Sequence, residues 1–514
     1  MDQQLHDQSC VFAALRNPVT YGLDGGKVEV IETHAAMVFL AGIHALKVKK
    51  VVRFPYLDFS TLEKRQAAIR RELELNQPHA PQIYLDVLPV TRQPDGQLVL
   101  DGNGQVAEWA LRMRRFPDDA LLSRALAAGE VDETFFDRLA DEIAGYHEAA
   151  PVALDVSSVV RMQSIANGLA EAFRTAPGLL PARAIERFEE LTSRHLQSCR
   201  KTLTERTRQG LVRRCHGDLH LANIVSLDGE PVLFDAIEFN DEIATVDVLY
   251  DLAFLLMDLC HVHEPHFANR ILNRYLSRSG EVADLQGLKA LPLYLACRAG
   301  VRAMVAITRL QQSSHHEAEN AADILSYFGQ AITCLEGAPA RLVAVGGYSG
   351  TGKTSVARKL ATCLALCPGA VHLRTDVERK QMFKVDETTR LPKASYTKQA
   401  SDAVYERVFW KAAKVLQAGH SVIVDGVFMD PAERAAIERM AEEAGTAFSG
   451  IWLEADKEVL LKRVAGRTGD ASDATADIVH LQLSRGAGDI RWHRIDAAGS
   501  LDYTVDLARQ ALQG

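Results

Sequence analysis

Leu211-Val-Arg-Arg-Cys-His216-Gly-Asp218-Leu-His-Leu-Ala-Asn223, followed by Ile224-Val-Ser-Leu-Asp-Gly-Glu230-Pro-Val-Leu-Phe-Asp235, is the stretch on which the reading of this chain turns. An acid followed five residues later by an asparagine, in a short loop, can aim both side chains at one point. Asp228-Gly229 is a turn signal, and the apolar run after it ends in a second acid, Asp235. Moving a phosphoryl group to a hydroxyl needs a carboxylate beside the acceptor proton and oxygen ligands for Mg2+. Asp218 suits the first task; Asn223 and Asp235 suit the second.

The order and spacing of Asp218, Asn223 and Asp235 resemble the catalytic set of protein kinases. His216-Gly217-Asp218 and Asp235-Ala-Ile depart from the protein-kinase forms. In both departures the chain is similar to aminoglycoside phosphotransferases and to choline/homoserine-kinase-like enzymes. The resemblance covers roughly residues 25–335, most strongly 212–256. It implies a bilobal kinase-like fold, with a small β-rich lobe over about 25–116 and a helical lobe over about 120–335. It also implies a small-lobe lysine paired with a helix glutamate to grip the nucleotide phosphates. Lys47 and Lys49 lie on one face of a strand because side chains alternate. Either fits; Lys47 is preferred, with Glu72 as partner and Glu74 as rival. No glycine-rich loop precedes them, so Glu32-Thr-His-Ala-Ala is expected to offer backbone N–H groups instead.

Working outward, Thr61 to Gln77 has helical periodicity with charges on one side, and Met37 to Ala41 and Ala45 to Lys49 read as strands. Asp247 and Asp251 read as acids that brace the catalytic loop. His261, His263 and His266, with His315 and His316, read as solvated rather than metal-binding. Glu336-Gly-Ala-Pro-Ala, residues 336–340, reads as a linker that closes a first domain of 1–335 and opens a second, 341–514.

The second domain alternates apolar strands (342–345, 371–374, 421–424, 450–453) with helix-length segments, the pattern of a parallel α/β sheet. Gly347-Tyr-Ser349-Gly350-Thr351-Gly352-Lys353-Thr354 follows the first strand and precedes a helix expected over 355–366. Glycines there let backbone N–H groups approach phosphate oxygens; Lys353 would neutralise them, and the Thr354 hydroxyl would hold Mg2+. Asp425 ends an apolar strand at a second metal position. Asp376, at another strand end, reads as an acceptor base or a helix-capping acid. Arg379, one turn on, reads as an anion contact or a solvated arginine. Arg463 and Arg467 share a helix face ahead of Ser472-Asp-Ala-Thr475 and are expected to act from a mobile lid. This segment resembles the shikimate/gluconate-kinase group, and more closely the ATP-binding domains related to zeta toxins.

Composition narrows the rest. The 514 residues are 47% hydrophobic and 24% charged with a net charge of −9, which disfavours general nucleic-acid binding. The start, Met1 to Ser9, lacks a basic-then-apolar leader, no run of about 18 apolar residues is evident, and the eight cysteines are scattered. These features lead to the expectation of a cytoplasmic protein with reduced thiols and no membrane partner. The expected activity is transfer of phosphoryl from Mg2+-ATP to hydroxyls of sugars, aminosugars, aminoglycosides or amino alcohols, at two centres. A second reading makes one domain an inactive, nucleotide-sensing regulator.

Overall fold

The computed structural model describes residues 8–512 except 25, 34, 55–56, 177, 313–316 and 467–470, and not the side chains of residues 312, 317 and 393. The chain divides into two compact units, 1–158 with 210–255, and 159–209 with 256–514. This division does not follow the linker expected at 336–340. Residues 159–209 and 256–335, assigned on sequence to the first domain, group in one compact unit with the parallel sheet of the second.

In the first unit, six antiparallel strands lie in the order Glu29–Glu32, Ala36–Ala41, His44–Lys49, Gln105–Arg114, Tyr84–Arg92, Leu98–Leu100. The helix Leu62–Asn76 starts at Thr61, whose side chain accepts from the Lys64 N–H at 3.3 Å. Its buried stripe is Arg65, Ile69, Glu72 and Asn76, spaced for one face. Charges on this face point inward and are satisfied there: Arg65 pairs with Glu108 at 2.8 Å. The strands Ile224–Leu227 and Glu230–Leu233 form a hairpin, and both turn residues, Asp228 and Gly229, have positive φ, as a tight two-residue hairpin turn requires.

The second unit holds five parallel strands in the order Val371–Arg374, Val422–Asp425, Arg341–Gly347, Ala447–Glu454, His493–Asp496. Leu342, Val343, Ala344 and Val345 are fully buried, as a central strand covered on both faces must be. The fifth strand was not expected, because His-Arg-Ile-Asp carries no apolar run and only Ile495 of it is buried. The helix after the glycine-rich loop spans Lys353–Ala361, shorter than 355–366 would have it. Cys367 lies beyond that helix, disulfide-bonded to Cys260 across 107 residues, which corrects the reading of all eight cysteines as unpaired thiols. The run Val282–Gln311 reaches membrane-span length, and its most apolar 18 residues have mean hydropathy 1.4, but 72% of those are buried in the protein.

Candidate active sites

The first site gathers at the strand–loop–hairpin quoted above. Asn223 donates through Nδ2 to the Asp218 carboxylate at 2.8 Å and to its backbone carbonyl at 2.9 Å. With that nitrogen committed, the ligand Asn223 has to offer is its carbonyl oxygen. Asp251 braces the loop from beneath: its carboxylate accepts the His216 and Gly217 N–H groups at 3.2 and 2.8 Å, and His147 Nε2 lies 3.2 Å away. His216 Nε2 meets the Phe234 carbonyl at 2.9 Å, tying the loop to the hairpin.

Asp235 sits at φ 62°, a left-handed conformation that costs an aspartate energy and is held from both sides. Its N–H donates to the Tyr84 hydroxyl at 3.0 Å, and the next N–H, of Ala236, donates to Asn76 Oδ1 at 2.8 Å. Asn76 is therefore a site residue that the sequence hid within a helix.

Both lysines reach Glu72. Lys47 Nζ lies 2.7 Å from Glu72 Oε1 and 2.6 Å from Asp235 Oδ1; Lys49 Nζ lies 2.5 Å from Glu72 Oε2 and also pairs with Glu238. Burial alone would depress the Lys47 ammonium, but Asp235, Glu72 and Glu238 outweigh it and hold it well above its ordinary range. Burial would raise Asp235, yet Lys47 overrides it and keeps that carboxyl low, against a smaller opposing push from Asp218. Asp218 and Asp235 thus feel each other, as groups around one metal position must. Glu74 pairs instead with Arg71 at 3.5 Å.

Ala45 shares a strand face with Lys47, and Val38 is the cross-strand partner of Lys47. Together with Met113, Phe116, Val225 and Phe234 they belong to one apolar cluster beside the ion pairs. In the turn at 32–36, where His34 lies outside the described residues, the amides of Thr33, Ala35 and Ala36 are engaged. Thr33 N–H donates to the Ala36 carbonyl, and the Ala35 and Ala36 N–H groups donate to Thr33 Oγ1, so these amides close the turn on itself. Two acids that follow the hairpin are also engaged, Glu238 by Lys49 and Asp241 by Arg214 at 3.1 Å.

The second site lies at the carboxyl ends of the parallel strands. Gly347, Gly350 and Gly352 have φ of 143°, 95° and 88°. A Cβ on Gly347 would come within 2.6 Å of the Leu453 carbonyl oxygen, and one on Gly350 within 2.8 Å of the Leu460 carbonyl oxygen. The loop is a cradle that only glycine can form, and it opens onto the helix Lys353–Ala361 with Lys353 and Thr354 at its first turn. Lys353 Nζ donates to the Tyr348 carbonyl at 3.1 Å. The Ser349 N–H donates to Gln482 Oε1 at 2.8 Å, and Gln482 returns a bond to Ser349 Oγ at 3.1 Å.

Asp425 is buried, with His372 Nε2 at 2.8 Å and Arg374 Nε at 4.0 Å from its Oδ2. Burial would raise it, but the His372 bond and nearby cations hold it down at about 2. Asp376 goes the other way: burial and the charge of Asp425 raise it, with Lys353, Arg374 and a Ser472 hydrogen bond pulling back. Asp376, Asp425, Lys353 and Arg374 therefore share one electrostatic neighbourhood.

Other expected residues are placed elsewhere. Arg463 donates to the carbonyls of Ala497 (2.7 Å), Ala498 and Gly499, so its guanidinium holds the turn after the last strand rather than acting from a lid. Arg467 lies outside the described residues, as do His315 and His316. Arg379 is buried rather than solvated: it donates to the Ser395 carbonyl at 2.8 Å and stacks on Tyr396, while its Nε is buried without a hydrogen-bond partner. His261 stacks on Tyr327 at 3.7 Å and so is packed, not loop-solvated. Lys380, which sequence reasoning passed over, meets Asp473 at 2.7 Å and anchors the 472–475 segment together with the Tyr396 hydroxyl.

Both donor sets suit Mg2+: carboxylate, amide and hydroxyl oxygens, without sulfur or a histidine cluster aimed at a metal. Asn223 with Asp235, and Thr354 with Asp425, are the residues that would hold it.

Comparison with known proteins agrees with this division of chemistry. A family model described as "Phosphotransferase enzyme family" matches residues 37–291, and one described as "AAA domain" matches residues 342–486. An uncharacterized protein of Mycobacterium tuberculosis strain H37Rv is 33% identical over 516 residues, covering 99% of this chain and 98% of the relative. An uncharacterized protein of Mycobacterium bovis matches to the same extent. Among solved structures, a choline/ethanolamine kinase family protein from Mesorhizobium loti covers 63% of this chain and 99% of its own, at 14% identity and TM-score 0.39. A gluconokinase from Sinorhizobium meliloti covers 34% and 95%, at 21% identity and TM-score 0.25. The chain belongs to the family of those mycobacterial proteins: an ATP-dependent phosphotransferase in which a phosphotransferase-family kinase fold precedes a P-loop kinase-like domain.

Proposed function

We propose that the protein phosphorylates hydroxyl groups of small molecules at two separate centres, one within residues 1–335 and one within 341–514, each using Mg2+-ATP. The observation that carries this is duplication: two unrelated sets of phosphate-handling groups, each with its own acceptor acid.

At the first centre, Asp218 orients the acceptor hydroxyl and takes its proton as the new O–P bond forms and the β,γ-bridging bond breaks. Asn223 fixes the Asp218 carboxylate through the 2.8 Å bond. Lys47 steadies the phosphates. Mg2+, held by Asn223 and Asp235, would neutralise charge on the transferring group. At the second centre, Asp376 is the acceptor base, the glycine cradle and Lys353 hold the phosphates, and Thr354 and Asp425 hold the metal.

Acceptors carrying little positive charge fit the first centre best. A polycation such as an aminoglycoside needs several uncommitted carboxylates, and Glu238 and Asp241 already have cationic partners. Sugars, aminosugars and amino alcohols remain, and a cytoplasmic setting supplies the ATP.

A phosphorylation screen of a metabolite library tests this, with the wild type, Asp218→Asn and Lys353→Ala compared in parallel. Each variant is expected to lose a different product. Loss of one and the same product in both variants would mean a single working centre.

A further inference from the structure

The strand Val371–Arg374 is the edge of the parallel sheet, bonded on one side to Val422–Asp425. An edge strand leaves a row of backbone groups without a ladder. Here two asparagines of the helix Pro265–Ser279 bond the strand at His372 and the chain just before it. Asn269, almost fully buried, donates to the carbonyls of Pro368 and Ala370 at 2.8 and 2.9 Å. Asn273 Oδ1 accepts the His372 N–H at 2.6 Å, and its Nδ2 reaches the Ala370 carbonyl at 3.3 Å. That helix lies inside the 37–291 segment matched by the phosphotransferase family model, yet its Asn269 and Asn273 bond the edge strand of the P-loop sheet and the residues just before it.

His372 carries the contact onward. Its backbone is set by Asn273, and its Nε2 meets Asp425 Oδ2 at 2.8 Å, with both side chains buried. A neutral imidazole donating through Nε2 occupies one carboxylate oxygen and presents the other, Oδ1, in a defined direction. Groups behind a metal-binding carboxylate commonly tune it in this way.

We infer that Asn273 and His372 are positioning residues for the P-loop centre, so that a helix of the kinase-like segment sets the metal-facing carboxylate of the other catalytic module. The inference rests on the proposed reading of Asp425 as a Mg2+ position. It gives the fusion of the two modules a physical reason: the P-loop sheet borrows its edge partner from the segment before it.

The test uses the full chain with the first centre silenced by Lys47→Met, and isothermal titration of the non-hydrolysable analogue AMP-PNP with and without Mg2+. In this background, Mg2+ is expected to tighten binding. His372→Ala and Asn273→Ala should reduce that tightening by about 10–100-fold while leaving metal-free affinity unchanged. His372→Gln, which keeps an N–H donor, should recover much of it. Should Asn273→Ala fail to fold, the two His372 variants decide the matter alone. Parental Mg2+ dependence in His372→Ala overturns the inference. Parental binding in a Lys353→Ala control instead overturns the reading of the P-loop centre itself, so the two failures are distinct.

Discussion

Lys47 and Lys49 look interchangeable on the strand, and their partners predict opposite consequences of losing them. Two ammonium groups face three carboxylates: Glu72, Asp235 and Glu238. The Lys49 side chain is 3% exposed and Glu238 5%, whereas Lys47 is 13% and Asp235 39% exposed. Lys49→Met strands Glu238 in the interior. Breaking such a pair costs about 3–5 kcal/mol. Lys47 still shares Glu72, so the low end applies. About 3 kcal/mol should lower the melting temperature of the first unit by about 6–12 °C. Lys47→Met leaves Asp235 where water can reach it, so its stability cost should be about 1 kcal/mol or less. Nucleotide binding should show the reverse order, because Lys47 contacts the metal-site acid.

The pH dependence supplies a second signature. Burial already raises the Glu238 carboxyl, and without Lys49 it rises further. A native acid with a raised pKa binds a proton that the unfolded chain releases, so the variant gains stability as pH falls. The deficit of Lys49→Met should therefore shrink between pH 7.5 and 5.5. Calorimetric melts and AMP-PNP titrations, both in a Lys353→Ala background, measure the two effects. A stable Lys49→Met that cannot bind nucleotide, beside an unstable Lys47→Met that can, would refute the assignment.

Three further outcomes follow from the geometry. Gly350→Ala forces a Cβ to within 2.8 Å of the Leu460 carbonyl at φ 95°, so the cradle must shift at a cost of about 1–3 kcal/mol. AMP-PNP titration in a Lys47→Met background should then show about 5–150-fold weaker binding. Asp376 must be ionised to act as a base, and burial raises it, so the acid limb of P-loop-centre turnover should lie above the ordinary aspartate range; Ser472→Ala, removing a bond that lowers it, should move the limb higher still. His420 is drawn down to about 4 by burial against the Gly369 carbonyl. Its neutral form is the folded one, so stability should be full above about pH 6.5 and fall by about 3 kcal/mol on acidification through pH 4. His420→Gln should flatten that slope in a urea titration.

What the sequence made legible was local. His216 to Asp235 and Gly347 to Thr354 carry their geometry in spacing over a loop or a turn, so they can be read without knowing what surrounds them. The choice between Lys47 and Lys49 was not readable, because both bond Glu72, and what separates them is burial and a second partner far along the chain, Asp235 for Lys47 and Glu238 for Lys49. The helix Leu62–Asn76 misled for a related reason: Arg65, Glu72 and Asn76 form a polar face, and polarity normally marks the solvent side. Their partners, Glu108, Lys47 with Lys49, and the Ala236 N–H, come from distant segments, and only those partners make the face an inner one. Asn269 and Asn273 were invisible likewise, since nothing in a helix announces that it completes a sheet edge about 100 residues away.

On the proposed reading the two sites would hold phosphate by different physics, and this bears on how metal and nucleotide should enter. In the first, the groups are side-chain charges with one carboxylate in excess, and Lys47 already pairs with Asp235. Mg2+ arriving alone would overturn that balance and compete with Lys47 for the same acid; nucleotide arriving alone would place further negative charge beside Asp218 and Asp235. Together the two nearly cancel, so the first centre should bind them with strong mutual dependence. In the second, the cradle is neutral backbone, and Asp376 and Asp425 are matched by Lys353 and Arg374. Backbone N–H groups need no counter-charge to meet phosphate. Nucleotide can therefore enter the second cradle with less help from the metal, and the metal coupling that remains depends on how Asp425 is aimed.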